Sequence, residues 1–347
     1  MIYFAVTDTK RRIVEDFLAQ EGGPIAGRLT PVTWEDLART AHVPRGTWIL
    51  ADLDALGPAG LELARTLRRT LSDAGLRTLN DPERTLFRFD LLDALHEAGL
   101  NRYRARRATD DVTSLRYPVF VRGASDHFGS VGDLLHSPGE VRELLDRAAS
   151  AGLSVEDLIA VEFEDTARED GTYAKYGAYT VGGRICPQHY MRAETWMIKH
   201  SVSVFTEEVV EEEYRYVRDN PHQAELREVF RLAAVEYGRV DYSVARDGQL
   251  QVWEINLCPI IGRQRTSRPS HVPADLQAAR QRRKDIFQTA FLDALSAVDT
   301  DVPPEPGVDL DVARETRSRV LEELAPRTGG EGLLTLMRAK ALFGQRW

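Results

Sequence analysis

Cysteine is nearly absent: the 347-residue chain holds only Cys186 and Cys258. Two cysteines build no disulfide framework, and their spacing is not that of a metal site. A reducing compartment is the simplest expectation. Lysine is scarce as well, five of the 45 basic residues, which leaves 40 arginines. No run of 18 apolar residues occurs, so no helix is expected to span a membrane. The opening MIYFAVTDTKRR lacks a charged lead and a cleavage site and does not read as a signal peptide. A cytoplasmic protein is the expectation. Positive charge is not in excess either: 45 basic against 54 acidic residues give a net charge of −9. That excludes a globally basic surface, so nucleic acid is not an expected partner. Internal repeats and long low-complexity tracts are also missing.

What is present suits two or three globular domains, with 43% hydrophobic residues in a chain too long for one ordinary core. Ile2 to Thr7, Thr47 to Asp52 and Leu76 to Leu79 read as short buried strands. Helical stretches at Lys10 to Gln20 and Pro58 to Asp73 alternate with them. This pattern predicts a small parallel α/β domain over 1–80. Residues 83–99 and 138–150 read as helices, and Tyr117 to Arg122 and Leu158 to Glu164 as strands, within a segment 81–160. Two alternating stretches around Gly182-Gly183, a helix from Pro221 and a hairpin fill 161–299. The segment 300–347 opens as an acidic, proline-rich linker and continues as two helices, about 309–325 and 331–344.

The strongest signal is the hairpin Gly238-Arg-Val-Asp-Tyr to Glu-Ile-Asn-Leu-Cys-Pro259. A two-residue turn at Asp247-Gly248 places Asp241 opposite Glu254 and Arg239 opposite Asn256. Strand alternation puts those four on one face. It puts Val240, Tyr242, Val244, Ile255 and Trp253 on the other. Two carboxylates directly opposite each other repel, and a divalent cation between them removes that penalty. Two carboxylates and an amide oxygen are hard donors, suited to Mg²⁺ or Mn²⁺ rather than zinc. The competing reading is an ordinary exposed polar face.

These residues resemble the metal-binding end of the ATP-grasp superfamily, whose carboxylate–amine ligases include the D-alanine–D-alanine ligases and glutathione synthetases. The resemblance covers most of 80–262. It implies an α/β fold with a small parallel N-terminal domain, a lid subdomain (81–160) and an antiparallel C-terminal subdomain (161–299). It also implies ATP and Mg²⁺ (or Mn²⁺) as cofactors. Asp241, Glu254 and Asn256 are the implied metal ligands, and Arg239 faces the transferred phosphate. Asn80-Asp81-Pro82-Glu83 is similar to the segment joining the first two domains of the family. Arg88 and Arg122 stand where the family has phosphate-contacting lysines. The loop with Ser125, Gly129 and Ser130 is similar to its glycine-rich lid. Glu162, Phe163 and Glu164 are similar to its adenine hinge, and the ribose carboxylate is left open among Glu162, Glu164, Glu169 and Asp170. Lys175 and Lys199 are implied as further nucleotide-binding residues, Lys199 about where the ligases place a second phosphate-contacting lysine. Arg184 is implied to face the substrate, and so is Arg263, which Arg265 and Arg268 follow.

The activity so implied is ATP-dependent amide-bond formation through an acyl phosphate. Its partners are small-molecule carboxylate and amine substrates, and the assembly common in the family is a homodimer. Two alternatives stand beside it: a kinase on the same fold, and a regulatory protein that binds ATP without turnover.

Overall fold

The computed structural model describes residues 1–347 except 126–128, 153, 199–202, 263–273, 304 and 326–347. The first apolar run is β1 (Ile2–Val6), buried along its whole length. A strand covered on both faces reads as a continuous apolar run, which is the mark of a parallel sheet. β1 pairs in parallel with β2 (Leu29–Thr33) and β4 (Thr47–Leu50), and β4 with β5 (Thr78–Leu79), in the order β2-β1-β4-β5. The helices α1 (Asp8–Gln20), α2 (Trp34–Arg39) and α3 (Pro58–Asp73) connect these strands. Leu63, Ala64, Leu67 and Leu71 of α3 are fully buried, the spacing of one helix face.

The stretch read as an acidic linker is packed against this domain. Asp299 takes the Met1 amino group at 2.6 Å and Arg28 at 2.5 Å. β13 (Val308–Asp309) pairs antiparallel with β3 (His42–Val43), and α9 (Arg314–Leu324) lies on α2 and α3. Arg317 of α9 donates to the carbonyls of Leu37, Ala38 and Thr40 at the end of α2. Glu323 accepts from the N–H groups of Ala59 and Gly60 at the start of α3, both at 3.0 Å. A cation at a helix C-terminus and an anion at an N-terminus each meet backbone groups the helix leaves unpaired. The second expected C-terminal helix lies outside the described residues.

The middle segment begins with a turn. The helix expected from residue 83 starts instead as α4 (Arg88–Glu97), because the Leu86 N–H leaves the local turn and donates to the Ala233 carbonyl. Asn80, at φ +68°, is buried. Its Nδ2 donates to the Leu50 and Tyr237 carbonyls, and its Oδ1 accepts from the N–H groups of Glu236 and Tyr237. The Asn-Asp-Pro motif therefore stitches the parallel sheet to the C-terminal one. β6 (Ala105–Arg107), β8 (Leu158–Glu162) and β7 (Val119–Gly123) form an antiparallel sheet in that order. α5 (Pro138–Ser150) packs beneath it through Val141, Leu144 and Ala148.

The C-terminal sheet has the order β10-β9-β11-β12, all antiparallel, from β9 (Tyr173–Val181), β10 (Arg184–Ala193), β11 (Tyr237–Val244) and β12 (Leu250–Asn256). Gly182 and Gly183, at φ +57° and +86°, make the two-residue turn between β9 and β10, which needs positive φ at both positions. α6 (Glu207–Asp219) and α8 (Ala274–Val298) pack against β10, and α7 (Gln223–Leu232) leads into β11. The architecture is mixed α/β, with one small parallel sheet followed by two antiparallel ones, as the resemblance implies. Among the described residues no helix is long and apolar enough to cross a membrane.

Candidate active site

The β11–β12 hairpin has the expected pairing at one end and a different turn at the other. Arg239 faces Asn256, and Asp241 faces Glu254. Ala245 instead closes on Gln249 around the three residues 246–248, with Gly248 at φ +91°. A bulge between Asp241 and Tyr242 absorbs the extra residue. The two differences cancel, so the register near the carboxylates is unchanged. The bulge also re-aims Trp253. It does not join the apolar core face. It lines the cavity with Glu254, its Nε1 donating to Ser243 Oγ at 2.9 Å and its ring stacked on Tyr103 at 5.0 Å.

This cavity lies between the two antiparallel sheets. Phe120 and Arg122 come from β7, Lys175 from β9, Asp241 and Ser243 from β11, and Trp253 and Glu254 from β12. It offers about 180 Å³ of space, comparable to a cavity of about 150 Å³ that holds a benzene ring. Trp196 meets Phe120 at 5.2 Å and Phe163 at 5.6 Å between ring centres. With Ile198 and Met197 these rings form an apolar slot in the cavity wall. Gly129 and Ser130 reach the cavity because the chain after β7 folds back along it, Ser130 bridging to Arg122 and Val131 bonding to Val121.

The carboxylates of the cavity are held by cations. Glu254 Oε2 accepts from Arg88 Nη2 at 2.6 Å and Arg122 Nη2 at 2.7 Å. Asp241 accepts from Arg239 Nε at 2.8 Å and Lys175 Nζ at 3.2 Å. Burial pushes the Asp241 carboxyl up, but Arg239 and Lys175 outweigh it and hold it below the usual carboxylate range. His189, Gly177, Asp241 and Glu254 lie in one row across the four strands. A Cβ on Gly177 would stand 2.2 Å from the His189 ring, so glycine leaves room for the imidazole to lie over β9. His189 Nδ1 meets Gln188 Oε1 at 3.1 Å, and its buried Nε2 has no partner among the described residues. Burial pushes the imidazole pKa well down, and Arg239 adds to this.

Of the residues singled out from sequence, Arg122, Gly129, Ser130, Phe163, Glu164, Lys175, Asp241 and Glu254 line this cavity. Arg88 and Arg239 reach it through its carboxylates. Asn256 is one alternation beyond Glu254, and its Oδ1 accepts from Cys258 N–H at 3.0 Å. Three others are placed elsewhere. Glu162 is buried and taken up by Arg104 and by the Arg116 N–H. Ser125 is outside the lining. Arg184 is exposed at the far end of β10, where it pairs with Val181, four residues along β9 from Gly177 and so roughly 14 Å away. Lys199 and Arg263 lie outside the described residues. For the ribose, Glu169 and Asp170 are exposed, and only Glu164 of the four carboxylates lines the cavity. Phe120, Trp196, Trp253 and His189 do not stand out for this site in the sequence. Gly177 in the middle of an alternating strand is the available signal, since such a glycine marks a close approach.

Among the described residues no three His, Cys, Asp or Glu side chains gather as a metal cluster. The hard oxygens the site does offer are the two carboxylates and the Asn256 amide oxygen, which has a second lone pair. Such hard oxygens fit Mg²⁺ or Mn²⁺ that keeps waters or phosphate oxygens as its other ligands. Arg122 Nε is buried without an acceptor among the described residues, a donor that fits an incoming anion.

No protein-family model and no curated protein matches the chain. Among solved structures, a crystal structure of D-cycloserine synthetase DcsG aligns with 85% of this chain and 99% of its own, at 11% identity and a TM-score of 0.45.

Proposed function

We propose that the chain is an ATP-dependent carboxylate–amine ligase. The observation that carries the reading is the pair Asp241 and Glu254, in register and lining the cavity, with Arg88, Arg122, Lys175 and Arg239 on them and an aromatic slot in the same cavity. The slot suits an adenine ring, and Glu164 beside it suits the ribose hydroxyls. Arg88, Arg122 and Lys175 are placed for phosphate oxygens; an arginine fork pairs with phosphate as a lysine does, with more directional bonds. Asp241, Glu254 and Asn256 would hold Mg²⁺, which supplies neutralisation of charge on the phosphates.

The chain's own groups do the rest. Lys175 and the arginines set the γ-phosphate in line with an incoming carboxylate, whose oxygen attacks phosphorus as ADP leaves. Arg239, fixed by Asp241 and Gln188, is placed to stabilise the phosphoryl group in transfer. An amine then adds to the acyl carbonyl, loses a proton, and expels phosphate to leave the amide. The folded-back Gly129–Ser130 segment keeps water from the acyl phosphate. No enzyme nucleophile is required. Cys258 is buried, and burial pushes its thiol pKa well up.

The test is ADP and phosphate release over a panel of acids and amines. ADP formation that needs both an acid and an amine is the expected result. A phosphorylated product without amide identifies the kinase alternative, and nucleotide binding without turnover the regulatory one. Glu254→Gln is expected to lower Mg-dependent ADP formation at least ~100-fold, the scale of losing a group aimed at developing charge, with unchanged far-UV circular dichroism.

A further inference from the structure

Two guanidinium groups close on a single oxygen. Arg88 Nη2 and Arg122 Nη2 reach Glu254 Oε2 at 2.6 and 2.7 Å, with side chains only 4%, 12% and 15% exposed for Arg88, Arg122 and Glu254. Arg88 also donates Nη1 to the carbonyls of Gly123 at 2.8 Å and Ala124 at 3.2 Å. Across the hairpin Asp241 is answered by Arg239 and Lys175. Each carboxylate of the pair thus already has its charge neutralised by the protein. A divalent cation approaching Glu254 would meet two arginines at contact distance. Two positive charges at that distance oppose a third at the same carboxylate oxygen, so the cation and the arginines compete for Glu254.

We propose that Arg88 and Arg122 lock the metal site: Glu254 becomes available to a divalent cation only when a polyphosphate draws both arginines away. This rests on the nucleotide reading of the cavity and adds the order in which its parts assemble. The lock is specific to arginine. A planar fork lets a terminal nitrogen from each of two side chains meet one carboxylate oxygen while other N–H groups stay available. Arg122 Nε, buried without an acceptor among the described residues, is such a group. Polyphosphate and metal therefore help each other bind, and the effect is reciprocal.

The experiment uses the full chain and Mn²⁺ as probe, with free Mn²⁺ followed by electron paramagnetic resonance and no nucleotide present. The wild type is expected to bind Mn²⁺ weakly. Arg122→Gln and Arg88→Gln are expected to show one Mn²⁺ site at least about tenfold tighter, within the usual range of coupling between sites. Adding Glu254→Gln to either is expected to remove that site again. If Arg88→Gln does not fold, Arg122→Lys carries the comparison, since it keeps the charge but not the fork. Wild type binding Mn²⁺ as tightly as the folded arginine variants overturns the lock. The nucleotide reading is tested apart, by binding of a non-hydrolysable ATP analogue with Mg²⁺, read from tryptophan fluorescence. Analogue binding with no gain of Mn²⁺ affinity in the variants defeats the lock alone. No analogue binding at all defeats the nucleotide reading and the lock with it.

Discussion

Asp52 follows β4 with a left-handed backbone, φ +58°, and its carboxylate accepts from both the N–H and the hydroxyl of Thr7 at the start of α1. Burial pushes its pKa up to about 6, against the lowering effect of the Thr7 hydrogen bonds. A carboxyl whose pKa is raised on folding binds more protons in the folded state. Its stabilising contribution is fully present below about pH 4 and lost as pH rises through about 6. An asparagine at this position would keep an acceptor for Thr7, tolerate positive φ and carry no charge. Asp52→Asn is therefore expected to be more stable than wild type at pH 7, by at most about 3 kcal/mol at about 1.36 kcal/mol per unit. The gap should close below about pH 4. Denaturant unfolding at several pH values reads this, and a gap that does not change between acid and neutral pH would refute it. Gly177 makes a second prediction. Gly177→Ala sets a methyl against the His189 ring and is expected to cost about 1–3 kcal/mol. Gly177→Ala in a His189→Ala background is expected to cost far less, since the two residues share one space. Additive losses would show that the ring is not what the glycine accommodates.

Among the elements, the hairpin and α9 are legible in the sequence to different degrees. Asp247-Gly248 marks a turn, and alternation names the polar face, but a loop longer by one residue and a compensating bulge are invisible to local pattern. Alternation alone consequently puts Trp253 on the wrong face. α9 is legible as a helix, but its docking is not. Its contacts include two side chains, Arg317 and Glu323, each on backbone ends of helices some 260 residues or more away. Arg317→Ala leaves helix-end carbonyls without that donor and is expected to cost about 1–3 kcal/mol. It should also raise protease cleavage within 308–324. Unchanged proteolysis and melting would mean that apolar packing of α9 suffices alone.

Across the whole molecule, the cavity belongs to no single unit. Its walls come from both antiparallel sheets, and Asn80 ties the second of these to the parallel one. A ligand held by both walls should stabilise the fold as a whole. A non-hydrolysable ATP analogue with Mg²⁺ at roughly a hundredfold excess over its Kd is expected to add about 2.7 kcal/mol, visible as a raised melting temperature; no shift at millimolar analogue would count against the proposed nucleotide site. Local rules are enough to read the strand–helix alternation, the two-glycine turn and the opposed Asp241 and Glu254 from the chain alone. Those rules are apolar period, backbone freedom at glycine, and side-chain alternation along a strand. Three things are settled only by the folded molecule: which cations meet those carboxylates, that Glu162 and Arg184 are spent away from the cavity, and that rings from residues 120, 163 and 196 form one slot. These contacts bring together distant parts of the chain, and such pairing is fixed by the packing of whole sheets, which no local pattern records.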